Sequence, residues 1–465
     1  MWLLVPCTFF FVQIWHYLPH ETDDAYIFYR YAQNVVDGYG LLWNRGEQPV
    51  EGFSSPLWVI LLAMLGSIGT PIPVAANILG LGSLFLLLYL SVILCRHAKI
   101  PLWGVLSIGC GLGPLYYWGL SGMETPLFAA LFLGTILSLF IPRWWWCASL
   151  LAIVRPEGPI LFIGWFLYAF YNRVHRPTRL AMAAAPMLMY QLFRFLYFGE
   201  YLPNTYYAKV GAPLFERLQF GLSYVQIFIP IVICSGIGLV WKRERTWVPL
   251  LLFCLLEMLI IVMGGGDWMF WGRMLVGLFF PLLILVFFLF EHSHRLWGTL
   301  LLCFYPFLTP LGVFQSFPKP LPVQGYQEGE LGRTSKEVAD EIRKYLPPNS
   351  QIAINHAGFL PYYLMDYRFI DMTGLNDHYI ARTQGGLHQK YDPDYVLRKE
   401  PSLIVMNSQN PPQKNTILFD YWEGERQLSE HPLFARNYNA VQRYWKRKKS
   451  ISGHAYLYLF VRKQP

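Results

Sequence analysis

Long apolar runs fill residues 1–314, separated by short polar or basic segments; beyond them the pattern shifts to short alternating runs. An apolar run of roughly 20 residues is what a helix needs to cross a bilayer. Met1–Leu18 has no basic leader and no small-residue cleavage site, so it reads as an uncleaved first transmembrane helix. Segment 57–69 reads as juxtamembrane or half-inserted, and 74–95 as a true span. Further spans are expected in pairs at 102–118 with 125–141, 144–154 with 158–171, 179–197 with 221–241 and 247–263 with 272–290, then at 296–314. The expectation is a polytopic α-helical membrane protein of about 11 spans.

The tail has a different texture. A proline-rich linker, 315–332, leads to residues 333–465. Thr334–Tyr345 has helical periodicity, while Gln351–Asn355, Arg368–Met372, Ser402–Asn407 and Ala455–Arg462 read as strands. A small soluble α/β domain is expected there.

Composition supports this division. The 465 residues are 54% hydrophobic and only 14% charged, against about 25% charged in soluble domains. That excludes an ordinary soluble enzyme and a disordered chain. Residues 315–465 hold 20 of the 37 Lys and Arg and 15 of the 29 Asp and Glu. The acids left in the apolar part are costly there, and each needs a reason. All seven cysteines lie in apolar segments without metal-site spacing, and no nucleic-acid motif is present. Lys446–Lys449 reads as a solvated basic surface or a contact for anionic lipid.

Charge also orients the chain. Basic short loops at Arg96–Lys99, Arg143, Arg173–Arg179, Lys242–Arg245 and Arg295 are expected on the cytoplasmic side. Every unusual polar cluster then falls outside: loop 19–55, Ser121–Thr125, Arg155–Gly158, Gly199–Gly211 and Gly264–Arg273. The tail falls outside with them.

The first loop is the most suggestive. Asp23 and Asp24 are adjacent acids at a membrane boundary, suited to a metal, a proton or a substrate. Thr22 or Asp23 capping a helix through Tyr26–Val36 is the plainer reading. Tyr26, Tyr29, Arg30 and Gln33 share one face of that helix. Arg30 suits a phosphate, or an ion pair with Asp23 or Glu51. Lys209, beside Tyr206 and Tyr207, suits a phosphate or a headgroup-level anchor. Asn204 suits sugar hydroxyls or a turn. Glu124 heads a span, where an acid is favourable in its own right or can hold a sugar or a cation. Arg155 with Glu157, and Asp267 with Arg273, are either structural pairs or site residues. Asp371, Asn376, Asp377, His378 and Arg382 form a tail loop expected to cap the membrane site and help bind an acceptor.

The run DDAYIFYRYAQNVVDGYGLLWNRGEQPVEGFSSPLW closely resembles the first external loop of GT-C superfamily glycosyltransferases, especially the mycobacterial terminal arabinofuranosyltransferases and their bacterial relatives. GMETPLF, RPEGPI, YFGEYLPNTYYAKVG, GGDWM with Arg273, and DMTGLNDHYIAR follow in the same order. The resemblance implies an inverting membrane glycosyltransferase, taking a sugar such as arabinofuranose from a polyprenyl-phosphate donor to a cell-envelope glycan or glycolipid. It implies Asp24 or Asp23 as the catalytic acid, with Asp24 favoured as base. It also implies a bacterial inner membrane with the tail periplasmic. Asp23 and Asp24 are candidate oxygen ligands for Mg²⁺, Mn²⁺ or Ca²⁺, although the sequence completes no coordination set. The alternative is a transporter or flippase of lipid-linked sugars, which would show internal repeats and polar residues toward both faces; neither is evident.

Overall fold

The computed structural model describes residues 4–18, 21–267, 269–290, 328–386, 389–408, 419, 422–449 and 453–463. The expected span 296–314 and most of linker 315–332 lie outside these residues.

Helix α1 (Leu4–Tyr17) leads to α2 (Asp23–Val36), whose first turn carries Asp23 and Asp24. Acids suit the positive end of a helix dipole. The helix stops at Asp37, and Gly38 takes up a left-handed conformation at φ 83°. Next come α3 (Pro56–Ser67), opened by a proline, and α4 (Ile72–Ala98), closed by Lys99 in the left-handed region after Arg96 and His97 in its last turn. The helices α5 (Leu102–Gly111) and α6 (Gly113–Leu120) replace the expected continuous span 102–118, with a break at Leu112 just ahead of Pro114. Proline removes a backbone donor and crowds the preceding turn. Between α6 and α7 (Thr125–Ser138) the chain bends by 119°.

The helices α8 (Trp146–Leu151), α9 (Gly158–Tyr171), α10 (Pro177–Phe198), α11 (Asn204–Lys209), α12 (Leu214–Val225), α13 (Ile229–Lys242), α14 (Val248–Gly264) and α15 (Phe279–Phe290) complete the helical part. Three helical stretches among the described residues, Ile72–Ala98, Leu214–Lys242 and Gly272–Phe290, are long and apolar enough to cross a membrane. The bent pair Gly113–Leu120 and Thr125–Ser138 makes a fourth if counted as one span. The other apolar helices are shorter, including Pro56–Ser67, Gly158–Tyr171 and Val248–Gly264. The expected count of about 11 therefore exceeds the number that pass by length and hydropathy.

The tail opens with α16 (Glu328–Tyr345) and is built on five strands: β1 (Gln351–Ile354), β2 (Arg368–Asp371), β3 (Leu403–Ser408), β4 (Tyr438–Lys449) and β5 (Gly453–Arg462). Their order is β2-β1-β3-β5-β4, with the first three parallel and the last two joined antiparallel. Four strands lie where alternation placed them. β4 was not foreseen, and the basic run Lys446–Lys449 belongs to it.

Alternation decides which way this sheet faces. Ile352, Ile354, Leu403, Val405, Leu457 and Leu459 join the apolar core that continues into the membrane helices. Ala353, Ile404, Met406, Tyr458 and Phe460 form a second core on the opposite face. The short helix α17 (Phe359–Tyr363) then seats directly on α2: the Phe359 and Tyr26 ring centroids are 4.1 Å apart. The tail thus packs on the helix that carries the paired acids.

Candidate functional site

Helix α2 begins where Thr22 is extended and its amide donates to the carbonyl of Ser121 at 3.2 Å, tying the first loop to the α6–α7 turn. Gly122 holds that turn at φ 85°, and a Cβ there would strike the Tyr29 hydroxyl. Successive helix residues point about 100° apart, so Asp23 and Asp24 cannot share one partner face. Asp23 accepts from the amides of Gly358 (3.1 Å) and Phe359 (2.9 Å), where α17 begins. It caps a tail helix rather than its own. Asp24 faces the membrane helices, with its carboxylate 3.9 Å from the Arg273 guanidinium.

Around Asp24 the charges alternate. Arg273 donates to Asp267 at 2.9 Å, and Lys209 lies within electrostatic reach of Asp24, Asp267 and Arg273. Behind them Arg155 sits 2.8 Å from Glu157 and 3.6 Å from Glu124. Burial pushes the Asp24 carboxyl above its ordinary value; Arg273 and Lys209 oppose the rise, and Asp267 and Glu124 add to it. Burial also acts to raise Asp267, but there Arg273 and Lys209 win and hold it low. Burial and the Arg273 charge lower the Lys209 ammonium. Asp24 remains 29% exposed and Lys209 is exposed, so both border water while ringed by protein. A half-open acid with a raised pKa is a better proton acceptor than an ordinary carboxylate, and the cations fixed beside it suit a neighbouring anion.

Asp24, Glu124, Lys209, Asp267 and Arg273 are thus brought together. The other predicted residues are engaged elsewhere. Arg30 is fully buried and donates to the carbonyls of Trp43, Pro361, Leu364 and Tyr367, holding the far end of α17. Glu51 binds Arg194 at 2.6 Å and Tyr190 at 2.6 Å. Tyr29 is buried against Tyr26 and Tyr362. Asn204 donates to the carbonyls of Gly374 and Leu375 at 2.9 Å each. Tyr207 lies under Arg382, whose guanidinium carbon is 4.2 Å from the ring centroid. His378 and Arg382 both reach Glu200, at 2.7 and 2.5 Å. Asp377 accepts from the amides of Tyr379 and Ile380 and from the Tyr395 hydroxyl. Apart from Glu51, whose pair lies within the membrane part, these residues join the tail to the membrane part or shape its loop.

Arg194, Tyr190, Glu200, Lys390 and Glu257 were not singled out from the sequence. Glu257 is fully buried in α14, within electrostatic reach of Arg155 and Glu157. Its lone acid in an apolar run was the available signal. For the two candidate metal acids, Asp23 is engaged by the tail's amides while Asp24 faces Arg273, and no cluster of three or more His, Cys, Asp or Glu fit for a metal occurs among the described residues.

Glu51, only 2% exposed, makes a direct stability test. Removing the partner of a buried ion costs about 3–5 kcal/mol because the other charge is stranded. Arg194→Leu is therefore expected to lower the thermal unfolding midpoint clearly, and Tyr190→Phe much less. Equal midpoints for Arg194→Leu and wild type would contradict this pairing.

Residues 323–460 match a family model described as a domain of unknown function, DUF8728. Over 259 residues the chain is 26% identical to the terminal beta-(1->2)-arabinofuranosyltransferase of Mycobacterium tuberculosis, a match covering 48% of this chain and 41% of that protein. The matched part thus spans less than half of that relative. The structure is similar to ArnT from Cupriavidus metallidurans bound to undecaprenyl phosphate, with a TM-score of 0.57 and 12% identity over 98% of this chain and 97% of the other. The apo form of ArnT matches at a TM-score of 0.50 and 13% identity, over 87% and 92% of the two chains. With coverage of nearly the whole of both chains, this protein shares the fold of ArnT.

Proposed function

We propose that the protein is an inverting membrane glycosyltransferase that moves a sugar from a polyprenyl-phosphate donor to a glycan or glycolipid on the external face of a bacterial cell membrane. The observation that carries this reading is Asp24, half-open at 29% exposure and 3.9 Å from Arg273. Lys209 belongs to the same charge cluster. The fold of a protein solved with undecaprenyl phosphate bound, and partial similarity to an arabinofuranosyltransferase, support the donor class. Arabinofuranose is the first sugar to try.

In this reading the acceptor oxygen bonds to the anomeric carbon as that carbon's bond to the donor phosphate breaks. The acceptor proton passes to Asp24 as general base. The electron pair leaves on the polyprenyl phosphate, whose charge Arg273 and Lys209 balance. Inversion follows from attack opposite the leaving group. The tail lies on the external side, covering the face of α2 away from Asp24.

Purified protein offered a panel of polyprenyl-phosphate sugars with lipid and glycan acceptors is expected to transfer one of them in detergent, where no compartments exist. Movement of lipid-linked sugar between vesicle leaflets, with no transfer from any donor, would overturn this reading in favour of a flippase.

A further inference from the structure

One tail residue bonds to the backbone on both sides of Lys209. Lys390 is 5% exposed, and its ammonium donates to three converging carbonyls: Tyr207 at 2.5 Å, Val210 at 2.9 Å and Ala381 at 2.8 Å. Two of these flank Lys209 in sequence, and the third belongs to the tail. A tetrahedral ammonium has three donors, and here all three are used. Just beyond, Gly211 passes so close to the carbonyl of Gly385 that a Cβ would collide with it. At the start of the same segment, the Asn204 amide nitrogen donates to Glu51 and its side chain to the tail carbonyls. Helix α11 is only six residues long and ends at Lys209. A helix of that length has little stability of its own. Its placement must come from these tertiary bonds.

We infer that Lys390 is a positioning residue, and that the tail domain acts on catalysis by setting where Lys209 stands in the Asp24 charge cluster. The inference rests on the proposed function in one respect, that Lys209 meets the donor phosphate. Lys390 itself meets no substrate: its three protons are committed to backbone. Without it, the carbonyls of Tyr207 and Val210 lose their shared donor, and the last turn of α11 is free to swing. A misplaced ammonium forfeits much of its effect on an anion, because such preorganisation is a matter of fractions of an ångström.

The test is binding of undecaprenyl phosphate to the purified full-length protein, read for wild type, Lys209→Met, Lys390→Met and the double variant. Each single variant is expected to weaken binding by about tenfold, as loss of one charged contact does. The double variant is expected to bind no more weakly than Lys209→Met, because a residue acting through another adds nothing once that other is gone. Losses that multiply in the double variant, or wild-type binding by Lys390→Met, would overturn the inference. Wild-type binding by Lys209→Met would instead overturn the phosphate role of Lys209 on which it rests. Phe434→Leu, in the second core of the tail, supplies the control for general destabilisation. It is expected to lower the unfolding midpoint while leaving binding unchanged; weakened binding there would reduce Lys390 to a structural part. Lys390→Arg keeps the charge but fans its donors in a plane. It is expected to lose binding to a smaller degree, and it decides the question if the Met variant does not fold.

Discussion

Asp24→Asn is expected to leave the protein folded and to lower sugar transfer by a factor of about 10²–10⁴, the range of general-base catalysis. The substitution keeps shape and removes the proton acceptor. Asp24 makes its charge contact with Arg273 at 3.9 Å, a long pair whose loss costs little structure. Asp23→Asn is expected to behave differently. It weakens the acceptance of two tail amides, so it should lower stability more than Asp24→Asn does and rate less. Purified variants compared by initial rate and unfolding midpoint separate the two. Full transfer by a folded Asp24→Asn protein would end the assignment of Asp24 as base.

That contrast marks how far the sequence could be read. The helix through Tyr26–Val36 was legible because its aromatic residues, Arg30 and Gln33 recur at one face. That one of the two acids should leave the site was not, because the partner of Asp23 is an amide pair 335 and 336 residues away. By sequence Arg30 suits a phosphate or an ion pair, but its partners are backbone carbonyls, of Trp43 and of Pro361, Leu364 and Tyr367 in the tail. A buried guanidinium satisfied by backbone leaves no trace in side-chain patterns. Glu51 likewise finds Arg194, 143 positions on, rather than a neighbour in the first loop. The sheet was legible where β1, β3 and β5 alternate between two cores. β4 was hidden because its sequence, YNAVQRYWKRKK, is rich in charge and breaks register between Ala440 and Tyr444. The polar clusters are therefore visible in the sequence as clusters, but their division of labour belongs to tertiary contacts.

The tail's grip on both α2 and the Lys209 loop gives the domain of unknown function a physical task. Asp23 and Arg30 hold the two ends of α17, seven residues apart on α2. Asn44 adds a reciprocal pair of bonds with the Phe369 backbone at 2.8 and 2.9 Å. Each of these partners is buried or half-buried, where breaking a charged hydrogen bond costs more than at a surface. The two elements that bring Asp24 and Lys209 together are thus fixed from the same side.

The second large effect belongs to Arg273. It lies 3.9 Å from Asp24, is bonded to Asp267 at 2.9 Å and sits 5.9 Å from the Trp118 ring centroid, and in the proposed mechanism it faces the leaving phosphate as well. Arg273→Met is expected to lower transfer by about 10²–10³, comparable to losing one preorganised donor to a developing anion. It should also move the pH profile, with a sign fixed by the charges. In the proposed mechanism Asp24 works as a carboxylate, so activity is present above its pKa and is lost as pH falls through it. Burial already raises that pKa, and Arg273 is the leading influence holding it down. Without Arg273 the pKa climbs further, so the acid limb of kcat/KM begins to fall at a higher pH than in wild type. Arg273→Lys keeps the charge and should restore the limb more fully than the rate, because an ammonium cannot serve Asp267 and a phosphate with a planar fork. An acid limb that stays in place in Arg273→Met, while the rate drops, would show that some group other than Asp24 takes the proton.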